Sequence, residues 1–176
     1  LVVAGYRQPK EVHLAAMAMN SLLGNVGETL LLQPIEPNGN GSIEDLASNF
    51  KKDDNLVVIG GDPAYNAPAD IDWKGIVEKS KKFIRHGFYN VDGTSKAATA
   101  YIPAAHYLES WGDARTNDGV LVPVQPLIAP LFGGLTELEV LARISGSDEF
   151  DPYKITRATF EGIAGEGEAK WSKFLH

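Results

Sequence analysis

The sequence predicts an α/β fold: an open, mainly parallel sheet with helices on both faces, followed by C-terminal helices. Three observations predict it. Leu56-Val57-Val58-Ile59 is a continuous apolar run with charge before it and glycines after it, which suits a strand covered on both faces. Stretches with apolar residues at three- and four-residue spacing read as amphipathic helices. The two kinds of segment alternate, and strand–helix–strand alternation implies right-handed crossovers and a parallel sheet.

Residues 1–4 (Leu-Val-Val-Ala) form an apolar run that ends at Gly5, so they read as a buried strand. Pro9 suits the first turn of a helix over residues 9–23, with Val12, Ala16, Met19 and Leu23 as its apolar stripe. Gly24-Asn25 stops it. Residues 29–32 read as a second strand and residues 34–41 as a loop.

Ser42, with Asp45 three residues on, opens the next helix in a shortened capping-box pattern, and Ile43, Leu46 and Phe50 supply its buried face. Residues 55–61 contain the clearest strand. A helix over 73–79 and a strand over 82–85 follow. Near the C-terminus, Thr136 caps a helix over 136–144 with Glu137 and Glu139 in its first turn. Asp151-Pro152 starts another helix to about residue 163. Gly165-Glu166-Gly167 breaks it, and residues 168–175 form a short last helix.

Residues 100–134 stand apart in composition. Tyr101-Ile102 stops at Pro103; a polar-aromatic stretch with Glu109, Trp111, Asp113 and Arg115 follows, then a turn at Asn117-Asp118-Gly119. The next apolar run is broken by Pro123, Pro126 and Pro130. Proline fixes φ and lacks a backbone donor, so residues 103–134 are expected to lie as an extended surface strap against another surface. The domain expectation is an α/β domain over 1–142 that includes this strap, with 143–176 as its helical extension.

A chain of 176 residues with 44% hydrophobic content can bury a sizeable core in one domain or two small lobes. The net charge of −7 argues against nucleic-acid binding and against adhesion to an anionic membrane. No run approaches the ~20 apolar residues of a membrane span. The sequence has no cysteine, which excludes disulfides, thiolate zinc sites, iron–sulfur clusters and a cysteine nucleophile from these residues. It begins without Met inside an expected strand and reads as a piece excised from a longer polypeptide.

Ligands of open α/β sheets collect at the carboxyl ends of the strands. Three such ends are expected: Gly5-Tyr6-Arg7-Gln8, Gly60-Gly61-Asp62-Pro63 and Pro103-Ala104-Ala105-His106. The glycines would let a ligand approach the backbone, and Asp62 could accept hydrogen bonds from a base or sugar; alternatively Gly60-Gly61 only turns the chain out of the sheet. Neither GxGxxG nor GxxxxGK[ST] occurs. His13, His86, His106 and His176 include no pair at helical spacing, which disfavours zinc.

His106, Glu109 and Asp113 fall close together and invite a metal or acid–base reading. The competing reading is an exposed or interface segment in which Asp113 pairs Arg115 or caps a turn. Ser95 and Ser110 lack the G-x-S-x-G elbow of serine hydrolases. Trp111, with Tyr107 and Phe132, is either core or a contact surface.

Three segments together resemble one family, the molybdopterin oxidoreductases. VVAGYRQPKEVHLAAMAMNSLLGNVG resembles their strand–helix–GNxG unit, LVVIGGDPAYNAP their strand followed by a GGNP turn, and ATAYIPAAHYLESWGDARTNDG their segment that opens ADxxLP. The longer stretch HYLESWGDARTNDGVLVPVQPLIAPLFGG is similar to the iron–sulfur, molybdopterin-enzyme-like large subunit of alternative complex III, a membrane-associated, quinol-oxidising respiratory complex. The resemblance covers most of residues 1–142.

The resemblance implies a molybdopterin-oxidoreductase-like α/β piece of an oxidoreductase subunit. In cofactor-bearing relatives the residues matching Gly60, Gly61, Asp62 and Pro63, and less closely Gly5 to Gln8, line a pterin guanine dinucleotide. In the alternative complex III subunit the fold is kept without the molybdenum cofactor, and the iron–sulfur clusters sit in other, cysteine-containing domains. Asp62 departs from the Asn that relatives commonly carry, and a carboxylate beside phosphates is electrostatically unfavourable.

The expected role is therefore a non-catalytic scaffold, with no cofactor and no metal of its own. Its expected partners are the other domains of the parent chain and the subunits of the respiratory complex, at the periplasmic face of the inner membrane, without direct membrane insertion. The alternative is the guanine-dinucleotide-binding domain of an active molybdopterin-dependent oxidoreductase. A free-standing small-molecule enzyme is the third, least supported class.

Overall fold

The structure, a computed structural model, describes residues 1–32, 40–116 and 119–176. The expected loop at 34–41 lies largely outside the described residues, as do Asn117 and Asp118 of the expected turn. The chain divides into two compact units, Leu1–Asn38 and Gly39–His176.

In the first unit, α1 (Lys10–Leu22) lies within the expected span, with Pro9 at the N-cap position, just before the first turn, and Leu23 as its C-cap. The two strands expected here do not form. Val2 has its backbone satisfied by a side chain instead: its N–H donates to Asn20 Oδ1 at 2.9 Å, and its carbonyl accepts from Asn20 Nδ2 at 2.7 Å. Asn20 is buried on α1 to do this. Residues 29–32 lose their strand to a tight turn. The Asn25 carbonyl accepts from the N–H groups of Glu28, Thr29 and Leu30, leaving one isolated bridge between Val26 and Leu30.

The second unit is a mixed α/β structure whose sheet is parallel and flanked by helices. Helix α2 (Ile43–Asn49) carries the expected reciprocal cap, in which Asp45 N–H donates to Ser42 Oγ and Ser42 N–H donates to Asp45 Oδ2. Strand β1 (Asn55–Ile59) follows, then the short α3 (Pro63–Asn66) and α4 (Trp73–Lys79). Strand β2 (Lys82–Gly87) runs two residues beyond its expected end, and α5 (Gly93–Ala97) leads into β3 (Ala100–Pro103).

The strand order is β1-β2-β3, with Asn55 opposite Lys82 and Ile84 opposite Ala100. Side chains alternate across a strand, so Phe83 and Arg85 share one face of β2 and His86 takes the other. On the first face Leu56 and Phe83 pack with Trp73 and Ile76 of α4, and α2 adds Leu46, with Phe50 just beyond it. Trp73 and Phe83 meet edge to face at 6.2 Å.

The segment expected as an extended strap is more folded than its prolines suggest. A 3₁₀ turn (Tyr107–Glu109) precedes β4 (Gly112–Arg115), which pairs antiparallel with β5 (Leu121–Val124). The correction has a backbone cause. The Thr116 N–H donates to the Val120 carbonyl at 2.9 Å, and bonded pairs alternate along an antiparallel ladder, so Asp113–Pro123 falls at a non-bonded position. Pro123 therefore removes a donor that the hairpin does not use.

Gly134 then brings the chain back beside β3, where Leu135 N–H donates to the Pro103 carbonyl and Ala105 N–H to the Leu135 carbonyl. A Cβ on Gly134 would lie 2.9 Å from the backbone of Ala104, a distance only glycine avoids.

Helices α6 (Glu137–Ser145), α7 (Pro152–Ala164) and α8 (Glu168–Leu175) match expectation within a residue or two, α6 with a full capping box from Thr136 and Glu139. Buried Trp171 of α8 gathers an aromatic cluster: Tyr153 at 5.8 Å, Phe160 at 5.5 Å and Trp111 at 6.2 Å. Among the described residues no helix is long and apolar enough to cross a membrane.

Candidate functional site

The carboxyl ends of β1, β2 and β3 converge at the place where open α/β sheets hold ligands. Beyond β1 the chain makes two consecutive left-handed steps, Gly60 at φ 64° and Gly61 at φ 58°. Side chains disfavour that region, so glycine is dictated by the turn itself.

Arg85 closes over this turn from β2. Its Nη1 donates to the Gly60 carbonyl and to the His86 carbonyl, both at 2.7 Å, and Nη2 donates to the Gly61 carbonyl and reaches Asp92 Oδ2 at 3.3 Å. The guanidinium is buried, and Nε is left without a partner. Its planar fork matches several acceptors at once, which a lysine ammonium could not do.

Asp92 also caps α5, accepting from Ser95 N–H at 2.6 Å. Burial opposes its charge, but the Ser95 hydrogen bonds and the Arg85 guanidinium outweigh that and hold its carboxyl below the usual range. Burial also pushes the Tyr101 phenol up; its hydroxyl donates to the Gly87 carbonyl.

The predicted site residues Gly60, Gly61, Asp62 and Pro63 thus lie together at the sheet end, with Gly61 exposed and the other three half-buried, and several of their polar groups are bonded within the protein. Asp62 Oδ1 accepts from Thr94 N–H at 3.1 Å and from the buried Thr94 hydroxyl at 2.5 Å. Gly60 N–H donates to the His86 carbonyl at 3.0 Å. Pro63 opens α3, whose Ala64 N–H donates to Thr94 Oγ1. At Oδ1, Asp62 is engaged in a bond that ties α3 to α5.

Gly5 to Gln8 belong to the first unit, where Gln8 N–H donates to the Gly5 carbonyl in a tight turn. His106 and Glu109 form a reciprocal cap: Glu109 Oε2 accepts from His106 N–H and Oε1 from Leu131 N–H, and His106 Nδ1 accepts from Leu108 N–H. These backbone hydrogen bonds hold the Glu109 carboxyl below its usual range. Among the described residues no group of three His, Asp or Glu side chains is placed to hold a metal.

Trp111 packs on Tyr153 at 5.0 Å, and so belongs to the chain's own aromatic cluster, whereas Phe132 and Tyr107 are exposed.

A cavity of about 340 Å³ opens beside the turn, lined by Gly60, His86, Ala104, Trp111, Asp113 and Glu137 among others. His86, buried on β2, donates from Nε2 to the Leu135 carbonyl at 2.8 Å, and its Nδ1 has no partner. The residues that sequence reasoning missed are Arg85, His86, Asp92, Thr94 and Glu137. A strand ending Arg-His-Gly, and the cap-like Asp92-Gly93-Thr94-Ser95, were the available signals.

No protein-family model matches this chain, and no curated protein matches it.

The turn can still be tested against the pterin guanine dinucleotide that the resemblance implies. A pyrophosphate wants unpaired backbone N–H donors and positive charge. Here the Gly60 N–H is bonded, the glycine carbonyls face Arg85, and the neighbouring carboxylates are Asp62, Asp113 and Glu137. The N–H groups of Gly61 and Asp62 make no hydrogen bond among the described residues, but the carboxylates around the turn are unfavourable to that group's phosphates.

Proposed function

We propose that this chain is a non-catalytic scaffold domain of a respiratory, quinol-oxidising oxidoreductase subunit of the iron–sulfur/molybdopterin-like kind. One observation carries the reading beyond resemblance. The turn that would line a dinucleotide is bonded inward, by Arg85 on the carbonyls of Gly60 and Gly61 and by Thr94 on Asp62. The turn serves to lock three loops together, so its contribution is rigidity.

Exposed apolar surface supports an assembly role. Leu127, Ile128, Leu131 and Phe132, in the proline-rich segment, are all exposed. Contiguous apolar side chains on a surface commonly mark an interaction site. Among the described residues β1 is an edge strand, and a groove of about 590 Å³ beside it is lined by Ile43, Leu46, Phe50 and Trp73, among others. In this reading the partners are other domains of the parent polypeptide and subunits of a complex at the periplasmic face of the inner membrane. Electron transfer passes through clusters held by those other domains.

Isothermal titration with GMP, GDP and the intact pterin cofactor tests the reading. No heat of binding up to about 1 mM ligand is the expected result. Saturable binding that is abolished by Gly61→Trp, in a variant whose circular dichroism is unchanged, would replace the scaffold by the guanine-dinucleotide-binding alternative.

A further inference from the structure

The cavity at the strand ends is unused by the scaffold reading and has a character of its own. Its walls are apolar and aromatic, with Phe88, Tyr107 and Trp111 on the lining, and its volume of about 340 Å³ lies in the range of small-molecule sites. Its charged lining groups among the described residues are two carboxylates, Asp113 and Glu137. Glu137 lies over the Gly60 turn, its Oε1 3.8 Å from where a Gly60 Cβ would stand. No Lys or Arg is among the described lining residues.

The first turn of α6 also meets the cavity through Glu137 and Leu138. A helix N-terminus is worth roughly half a positive charge, the Arg85 guanidinium behind Gly60 and His86 is offset by Asp92, and two carboxylates outweigh what remains. The balance is negative, which repels phosphates and carboxylates and attracts cations.

An independent feature concerns the inner wall. His86 lines the cavity, is 1% exposed, and keeps Nδ1 unpartnered while Nε2 is fixed on the Leu135 carbonyl. A buried polar atom without a partner is unusual enough to require a reason. With the hydrogen on Nε2, Nδ1 is left as an acceptor, so this wall presents no N–H to an anion, in line with the two carboxylates. The aromatic rings add faces that favour a cation over a neutral donor.

We propose that this cavity binds a small organic cation: a protonated amine carried on an apolar or aromatic body. The ammonium sits at the mouth between Glu137 and Asp113, and the body fills the space beside Trp111 and Ala104. The site is independent of whether the chain is a scaffold, and it excludes the anionic dinucleotide from the same place.

The test uses the 176-residue chain and two probes of similar size and opposite charge, phenethylammonium and 3-phenylpropionate, followed by two-dimensional NMR. Phenethylammonium is expected to shift the Trp111 indole and the Gly60 amide saturably, and 3-phenylpropionate to leave them unmoved. Glu137→Gln and Asp113→Asn, both exposed positions, are each expected to weaken the amine about tenfold, as loss of one charged hydrogen bond would. Leu141→Trp should fill the cavity and abolish the shifts. The proposal is overturned if the amine gives no saturable shift up to about 10 mM. It is equally overturned if the anion binds as well as the amine, or if the double variant Glu137→Gln/Asp113→Asn binds as tightly as the parent.

Discussion

Arg85 and Asp92 form an ion pair at 3.3 Å in which the guanidinium is 3% exposed and the carboxylate 19%. The same guanidinium bonds the carbonyls of Gly60, Gly61 and His86. Removing it leaves the Asp92 charge and the Gly60 and Gly61 carbonyls without it, while the His86 carbonyl keeps the Gly60 N–H. Arg85→Met is therefore expected to cost about 3–5 kcal/mol, the range for breaking a buried pair from one side. Arg85→Lys should recover little of this, because an ammonium cannot reach all four acceptors. Urea denaturation of both variants checks the prediction; a Lys variant as stable as the parent would refute the clamp.

The same pair predicts a pH dependence. Asp92 has a folded value below its unfolded one, so its stabilising contribution is complete above the unfolded value of about 3.9 and is lost as pH falls through the folded value. The urea midpoint of the parent should fall as pH is lowered from about 5 into that window. Asp92→Asn should start lower at neutral pH and fall less. Parallel curves for parent and variant would show that Asp92 does not titrate in the way its contacts imply.

At Gly61 the cost of a side chain should come from the backbone alone. A Cβ there meets nothing within 4 Å, yet φ is 58°. Gly61→Ala is expected to destabilise by about 1–2 kcal/mol, and Gly61→Asn by less, since Asn tolerates the left-handed region. Thermal unfolding of the two variants checks the order. A neutral Gly61→Ala would mean that the turn is not held in this conformation.

Trp171 is 2% exposed and touches rings from α7, from α8 and, through Trp111, from the residue just before β4. Trp171→Ala should cost about 3–5 kcal/mol, as truncation of a large buried aromatic does. The near-ultraviolet circular dichroism of the aromatic cluster should collapse with it. A loss below about 1 kcal/mol would show that the cluster closes over the gap unaided.

The elements legible in the sequence were those with local signals. Ser42 with Asp45, and Thr136 with Glu139, set helix starts within four residues of themselves, and β1 announced itself by four apolar residues between charge and glycine. The apolar runs at 1–4 and 29–32 looked the same as β1, but Asn20 and Asn25 take up their backbone groups, a competition that composition does not reveal. The site was half legible. Gly60 and Asp62 were visible as a turn, but Arg85 and Thr94 act across 25 and 32 residues, and only the paired strands bring them there. The cavity's carboxylates, Asp113 and Glu137, come from a hairpin and a helix with no sequence signal linking them.

The hairpin β4–β5 offers a test of register that separates two kinds of proline. Pro123 faces Asp113 at a non-bonded position, so restoring the donor with Pro123→Val adds no ladder bond and should change stability by less than about 0.5 kcal/mol. Val122 faces Ala114 at the neighbouring, bonded position, where the N–H points at the partner strand. Val122→Pro removes that donor and sets the proline ring against the ladder, for a loss on the order of 3 kcal/mol. Amide exchange gives a second readout: the Val122 N–H should be protected, while the N–H that Pro123→Val introduces should exchange freely. If that new amide were protected instead, the pairing would be shifted by one residue. Every side chain of β4 would then face the opposite side, and Asp113 would leave the cavity.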